Sequence, residues 1–170
     1  MMLRDKVVVV AGVGSGLGRS VALASAREGA DVVLAARTTA RLDEVAKEIA
    51  GLGRRGLAVP TDVADAAAAG HLVAAARDAF GRVDALVYNA LAMPPIKALG
   101  AVDLDALGTS FDGNVVAALR LIRLLTPALE ESGGAVVMIS SMVVRFSQLG
   151  MGPYKLTKAA LQLTLAVVSR

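Results

Sequence analysis

The residues best suited to chemistry are Tyr154 and Lys158, four positions apart, with Ser141 thirteen positions earlier. Positions i and i+4 share a helix face, so the lysine ammonium can lie near the tyrosine phenol. A free phenol, with a pKa of about 10, is a poor base at neutral pH, but a nearby ammonium favours the phenolate. Such a pair can move a proton between an alcohol and a carbonyl oxygen that the serine hydroxyl holds. The alternative is a chance pattern of two surface side chains.

A glycine-rich turn near the N-terminus has the composition of a dinucleotide-binding loop. It separates an apolar run from a predicted helix and reads Gly12-Val13-Gly14-Ser15-Gly16-Leu17-Gly18. Glycines let the backbone approach a pyrophosphate, and the amides at a helix N-terminus attract anions. The spacing differs from the general G-x-G-x-x-G fingerprint because Leu17 stands where that pattern has its last glycine. A plain strand–helix turn is the alternative interpretation.

The end of the second predicted strand bears on which dinucleotide is bound. NAD-binding sites commonly have a carboxylate there, which bonds the ribose 2′-hydroxyl. This chain has Ala36 followed by Arg37, with Arg41 one helical turn later. A guanidinium can pair with a 2′-phosphate, so we expect NADP(H) to be favoured, with NAD(H) possible. The alternative is that Arg37 is a solvated surface residue.

Strands and helices alternate along the chain and must position these residues. The apolar runs show no polar alternation, which is typical of strands buried on both faces. The alternation predicts an α/β fold with a doubly wound (Rossmann) parallel sheet and helices on both faces. Predicted strands are Val7–Ala11, Asp31–Ala36, Gly56–Pro60, Ala85–Tyr88 and Ala135–Ser140, and predicted helices are Gly16–Gly29, Thr38–Ala50, Ala66–Phe80, Asp103–Leu129 and Pro153–Arg170.

Composition narrows the classes of function. The 170 residues, 55% hydrophobic and 19% charged, suit one ordered domain spanning 1–170. Basic residues are dispersed and aromatic residues make up 3%, so we expect no nucleic-acid partner. One His and no Cys predict neither a metal site nor disulfides. The first apolar run fits a buried strand better than a signal peptide and none is long enough for a membrane span, so we expect a cytoplasmic protein.

In this order and spacing the glycine turn, Ser141, Tyr154 and Lys158 resemble the short-chain dehydrogenase/reductase family over nearly the whole chain. The resemblance implies an oxidoreductase that interconverts an alcohol and a ketone or aldehyde. It implies that Asn114 completes the catalytic set by joining Lys158 through water, and that Asp62 contacts adenine. The implied cofactor-binding residues are Gly12, Gly14, Ser15, Gly16, Leu17, Gly18, Arg37, Asp62, Val63, Asn89, Ala90, Tyr154 and Lys158.

The chain departs from the family pattern in two ways. Tyr88-Asn89-Ala90-Leu91 replaces Asn-Asn-Ala-Gly, so Leu91 brings a side chain beside the cofactor. Family members also continue into further strands, a loop that contacts the nicotinamide and a substrate-binding segment, none of which this sequence contains. We therefore expect a fragment or a shortened member, with Ala135–Ser140 as an uncovered hydrophobic edge of the sheet. The alternative function is a non-catalytic dinucleotide-binding or interaction protein.

The resemblance also implies a homodimer or homotetramer built on the long helix and the tyrosine-bearing helix. Apolar residues beyond those needed to contact the sheet favour this: Val115, Val116, Leu119, Ile122, Leu125, Leu161, Leu165 and Val168. The expected substrate is a small alcohol or carbonyl compound. Met142, Phe146, Leu149 and Met151 either pack internally or line a pocket near Ser141, and the second alternative implies an apolar substrate.

Overall fold

Five parallel strands form one sheet in the computed structural model, which describes residues 1–146 and 148–168 and, within them, all side chains except those of 99 and 164–168. The strands are β1 (Val7–Ala11), β2 (Asp31–Ala36), β3 (Gly56–Pro60), β4 (Ala85–Tyr88) and β5 (Ala135–Met138). Their order across the sheet is β3-β2-β1-β4-β5. From β1 the chain adds β2 and β3 on one side, and it then adds β4 and β5 on the other side. This order confirms the doubly wound sheet. It also places a crevice at the carboxyl ends of β1 and β4, where the strand order reverses.

Helices cover both faces of this sheet. Odd-numbered β1 residues, such as Val9, belong to a core that includes Leu72, Leu121 and Leu161, whereas even-numbered ones, such as Val10, belong to a second core with the helices that follow β1 and β2. All of β1 is buried, which explains its unbroken apolar run. The α-helices are α1 (Leu17–Arg27), α2 (Thr39–Gly51), α3 (Ala66–Phe80), α4 (Leu104–Phe111), α5 (Ala117–Ser132) and α6 (Gly152–Val168).

Local signals fix several helix ends. The Asp65 carboxylate accepts a hydrogen bond from the amide of Ala68 at the start of α3, and Asp103 caps α4 by accepting from two amides of its first turn. Gly81 and Gly133, in the left-handed conformation, end α3 and α5. The predicted helix boundaries differ slightly from the observed ones, since α1 begins at Leu17 rather than at Gly16.

The predicted continuous helix over Asp103–Leu129 is wrong in detail. A π-helical segment, Asp112–Val116, interrupts it between α4 and α5. The periodicity of apolar residues hardly changes across one such wide turn, so the pattern read as a single helix. Single π turns inside helices occur frequently at functional sites, and this one carries Asn114.

Both edges of the sheet carry a distinct feature. Pro60 ends β3, which lies at one edge, where a missing N–H costs no ladder hydrogen bond. The predicted fifth strand, Ala135–Ser140, is too long, because β5 ends at Met138 and the chain then turns toward Ser141. In the described part of the chain β5 pairs only with β4, and Val137 is 48% exposed. The expected hydrophobic edge is therefore present.

Among the described residues, no helix is long and apolar enough to cross a membrane.

Candidate active site and dinucleotide groove

Two glycines of the turn after β1 are required by the packing of the protein itself. Gly12 has a φ of +95°, and a Cβ there would lie 2.4 Å from the amide nitrogen of Ala90. A Cβ at Gly18 would lie 2.2 Å from the carbonyl oxygen of Gly12, where α1 packs on the turn. Any larger residue at either position would push the turn away from the ends of β1 and β4.

Gly14 and Gly16 have no such internal reason. A Cβ at either position would meet no atom within 4 Å. Gly16 precedes α1 and gives it no side-chain cap. The turn therefore presents bare backbone and a helix N-terminus to an outside group, which is the arrangement that binds a pyrophosphate. Ser15 and Leu17 are exposed on the same turn, and Leu17 is half exposed.

Asn89, at the exit of β4, fixes the turn. Its side-chain amide donates to the Gly12 carbonyl oxygen at 2.8 Å, and its backbone amide donates to the Ala11 carbonyl oxygen at 2.8 Å. The structure thus gives this predicted cofactor residue an internal task, which is to hold the glycine turn against the end of β4.

A groove of about 470 Å³ runs across the carboxyl ends of the strands from this turn. Of the predicted cofactor residues it contains Gly12, Gly14, Arg37, Asp62, Val63, Asn89 and Ala90. The remaining turn residues Ser15, Gly16, Leu17 and Gly18 are not in its lining, nor are Tyr154 and Lys158. Leu91 lines the groove and is 40% exposed, so the departure at this position does place a side chain there.

The charged residues of the groove lining follow the neighbouring strands β2 and β3. Arg37 and Arg41 lie in the lining beyond the end of β2, both are exposed, and neither forms an ion pair within the described residues. Asp62 lies beyond β3, where its carboxylate accepts from the Ala64 amide at 3.0 Å. An anionic group beside Arg37 would therefore meet two unpaired guanidinium groups.

Lys158 is the cation of the predicted catalytic set, and its side chain is deeply buried. It is 3% exposed, and its Nζ donates to the Ile139 carbonyl oxygen at 2.8 Å. The same Nζ lies 6.0 Å from the centre of the Tyr154 ring. Burial lowers the pKa of Lys158 from its ordinary value, because leaving water disfavours the charged form. The structure thus brings the ammonium between the end of β5 and the tyrosine.

Ser141 lies next to this pair in the chain fold. It follows β5 by three residues and begins a 3₁₀ turn over Met142–Val144, in which its Oγ accepts from the Val143 amide at 3.3 Å. The hydroxyl hydrogen remains free to donate to a substrate oxygen. The neighbouring Ser140 Oγ is buried and has no hydrogen-bond partner among the residues that the structure describes.

Asn114, the fourth predicted catalytic residue, is fully buried in the π-helical segment. Its side chain bonds twice to the backbone of Ala92: Nδ2 donates to the carbonyl oxygen at 2.7 Å, and Oδ1 accepts from the amide at 2.8 Å. The side chain therefore ties the loop after β4 to the π-helical segment. It makes no direct hydrogen bond to Lys158.

Tyr88, at the end of β4, makes a further hydrogen bond to the π-helical segment. It is 1% exposed, and its hydroxyl donates to the Gly113 carbonyl oxygen at 3.0 Å. Burial first, and the Asp62 carboxylate second, raise the pKa of Tyr88, so that the phenol remains a donor. Gly113 is close to the loop as well, since a Cβ there would lie 2.8 Å from the Ala92 Cβ.

Sequence reasoning missed several groove residues, among them Thr109 and Gly113. Both come from the region predicted as one long helix, and neither carries a chemical signature. The π turn that brings Gly113 to the groove has no sequence signal of its own. Within the described residues no group of three or more potential metal-ligating side chains occurs.

Comparison with known proteins places this geometry in context. A family model described as short chain dehydrogenase matches residues 6–169. An uncharacterized oxidoreductase of Mycobacterium tuberculosis is 40% identical over 161 residues, which are 94% of this chain and 61% of the relative. An L-rhamnose 1-dehydrogenase (NAD(P)(+)) of a Sphingomonas species is 33% identical over 144 residues, 83% of this chain and 56% of the relative. The chain therefore spans about three fifths of the length of these relatives.

A solved structure gives the same picture of the fold. It is a 7 alpha-hydroxysteroid dehydrogenase complexed with NADH and 7-oxo glycochenodeoxycholic acid. The two share a TM-score of 0.90 at 28% sequence identity, over 97% of this chain and 66% of that one.

The hydrogen bond between Tyr88 and Gly113 yields a stability prediction. Tyr88→Phe should lower the free energy of unfolding by about 1–3 kcal/mol, because it leaves a buried carbonyl unsatisfied. Amides of 112–116 should also exchange faster with solvent. Thr126→Val is the matched control, since Thr126 donates to the Ile122 carbonyl within α5. Denaturant unfolding and hydrogen exchange measure both effects, and equal values for Tyr88→Phe and the wild type would contradict the structural role.

The buried Lys158 yields a pH prediction. Its pKa in the folded protein is lowered from the ordinary 10.5, so the unfolded chain binds the proton more tightly. The lysine therefore lowers stability at neutral pH, and this loss disappears as the pH rises through the folded pKa toward 10.5. The unfolding free energy of the wild type, measured relative to Lys158→Met, should rise between pH 7 and about pH 10.

Lys47→Met, on the exposed face of α2, is the control for this experiment. The difference between that variant and the wild type should stay flat over the same pH range. A flat difference for Lys158→Met as well would show that Lys158 is not held in a desolvated site.

Proposed function

Because the chain belongs to the short-chain dehydrogenase/reductase family, we propose that it is an NADP(H)-dependent oxidoreductase that interconverts an alcohol and a ketone or aldehyde. The observation that carries the proposal is the buried Lys158 ammonium beside Tyr154, in a fold that also has a groove with bare glycine backbone at its start. When bound, the dinucleotide would supply or accept the hydride. The chain's own residues would handle the proton and orient the substrate oxygen.

Tyr154 is the proposed acid/base. In reduction its hydroxyl donates a proton to the substrate oxygen, and in oxidation its phenolate accepts one. Lys158 is the proposed cationic partner of Tyr154, and its ammonium, which donates to the Ile139 carbonyl oxygen, would also hold a ribose hydroxyl of the dinucleotide. Ser141 holds the substrate oxygen through its free O–H.

Asn114 acts in this proposal as part of a proton relay to Lys158 through water. Its side-chain atoms are occupied by Ala92. Its backbone carbonyl is therefore the group that would hold the water. The π-helical geometry supports this assignment, because a widened turn alters where backbone carbonyls point.

The preference for NADP(H) over NAD(H) rests on the groove's charges. No carboxylate follows β2, where it would repel a 2′-phosphate, and Arg37 and Arg41 line the groove there without ionic partners among the described residues. The similar rhamnose dehydrogenase is named for both cofactors, and the similar steroid dehydrogenase was solved with NADH. Those two proteins support a nicotinamide cofactor in general. The preference for NADP(H) over NAD(H) is inferred from Arg37.

A non-catalytic dinucleotide-binding or interaction protein is the second candidate. Leu91 favours it, because its side chain occupies part of the groove lining. Both candidates bind NADPH, but only the first turns over a ketone. Steady-state NADPH oxidation with a panel of ketones therefore separates them.

The remaining expectations stay predictions. They are a single domain over 1–170, a cytoplasmic location and a homodimer or homotetramer. Val116 and Leu119 are 38% and 41% exposed on the long helix, which supports an interface there, whereas Ile122 and Leu125 are buried in the protein's own core. The side chains of Leu165 and Val168 lie outside the described residues.

Arg37→Asp should shift cofactor preference from NADP(H) toward NAD(H). A carboxylate repels the 2′-phosphate but accepts a hydrogen bond from a 2′-hydroxyl. Dissociation constants of both cofactors, measured for both proteins, give the ratio that decides. Arg27→Asp, which makes the same charge change at the far end of α1, should leave the ratio unaltered. An unaltered ratio in Arg37→Asp would assign the 2′-phosphate to another group.

Tyr154→Phe should lower kcat by roughly 10²–10⁴-fold, the contribution expected of a general acid/base. NADPH affinity should barely change, because the ring and its packing remain. Single-turnover reduction of an active ketone, with NADPH titration in parallel, measures both quantities. Near-normal turnover would show that a different residue transfers the proton.

A further inference from the structure

We propose that the substrate is an amphipathic anion, with an apolar body and an anionic oxygen group, held by a rim beside Ser141 and Tyr154. The rim is defined as residues 91–97, 142–146 and 148–155. The inference rests on the proposed oxidoreductase function and adds the chemical class of the substrate. It follows from the apolar exposure of the rim, its closure and its charge.

The apolar character of the rim is pronounced. Its large exposed apolar side chains are between 40% and 92% exposed: Leu91, Met93, Ile96, Met142, Phe146 and Leu149. Isolated exposed apolar residues need no explanation, but a contiguous group beside reactive side chains marks a binding surface. These residues gain nothing from water, and an apolar ligand body would cover them.

The two parts of the rim meet in space. A Cβ at Gly150 would lie 3.3 Å from the Ile96 Cγ2, so the loop after β4 touches the loop after β5. The Lys155 Nζ donates to the Phe146 carbonyl oxygen at 3.1 Å and folds the second loop onto α6. Tyr154 belongs to the rim and Ser141 directly precedes its second part, which packs against α6, so the proposal places the ligand beside both residues.

The rim carries only positive charge. Lys97, Arg145 and Lys155 belong to it, while residues 88–102 and 139–158 contain neither Asp nor Glu. None of the three forms an ion pair within the described part of the chain. The next acidic residue, Asp103, already accepts from the amides of Asp105 and Ala106.

These three cations lie outside the lining of the dinucleotide groove. Its lining includes Arg37 and Arg41 but none of Lys97, Arg145 and Lys155. Three unpaired cations on an apolar surface favour a ligand that combines hydrophobic area with negative charge. A neutral ligand would leave them without an ionic partner.

The experiment compares 4-oxodecanoate with its methyl ester, which share the ketone and the alkyl chain and differ in one charge. Both are titrated into NADPH-saturated protein at low ionic strength by calorimetry, and NADPH oxidation is followed separately. The rim variant is Lys97→Gln with Arg145→Gln. The control is Arg27→Gln with Lys47→Gln, which changes the net charge equally on exposed parts of α1 and α2.

We expect the acid to bind about 5-fold tighter than the ester, the size of effect that exposed charge pairs give. The preference should vanish at about 1 M salt, where the screening length is about 3 Å. It should also vanish in the rim variant and persist in the control. Selective binding of the acid without NADPH oxidation would support the rim assignment and count against the proposed reaction.

Three results would overturn the inference. They are equal binding of acid and ester, binding of neither, and a preference that survives in the rim variant. A weaker NADPH affinity in the rim variant with an unchanged acid preference falls under the third result and assigns the cations to the cofactor.

Discussion

The close contact between Gly12, Gly18 and Asn89 is the constraint on which the rest of the site depends. The Gly12 carbonyl oxygen accepts from the Asn89 side chain, and the same oxygen leaves no room for a Cβ at Gly18. Helix α1 can therefore pack at the end of β1 only because one side is bare backbone. That packing aims the N-terminus of α1 at the crevice between β1 and β4, where the strand order reverses.

A second set of contacts extends this arrangement to the reactive residues. The Tyr88 carbonyl oxygen accepts from the Ile139 amide, and the Ile139 carbonyl oxygen accepts from Lys158. The Tyr88 hydroxyl reaches Gly113 in the π-helical segment. One residue at the end of β4 is thus bonded on one side to the chain that positions the lysine, and on the other to the segment that carries Asn114. The groove wall and the reactive pair are held by the same strand.

The sequence predicted strands better than it predicted the π turn, for physical reasons. Four strands, including Ala85–Tyr88, match their predicted bounds because a strand buried on both faces leaves a continuous apolar run with polar ends. The π-helical segment makes tertiary hydrogen bonds with Tyr88 and Ala92, which the spacing of apolar residues does not encode. Spacing alone brought Ser141, Tyr154 and Lys158 together as candidates. The partners of Asn114 and Asn89 depend on loops whose paths no spacing encodes.

The burial of Lys158 illustrates why the site is not optimised for stability. Removing an ammonium from water is costly, and a single carbonyl partner offsets only part of that cost. A methionine of similar length would pack in the same place without the penalty. The cost of this buried charge points to a role beyond packing, and in the proposed reaction that role is to be the cation beside Tyr154. The burial that lowers the pKa of the lysine also leaves little water to screen its charge, so the stability cost and the proposed chemistry have one physical origin.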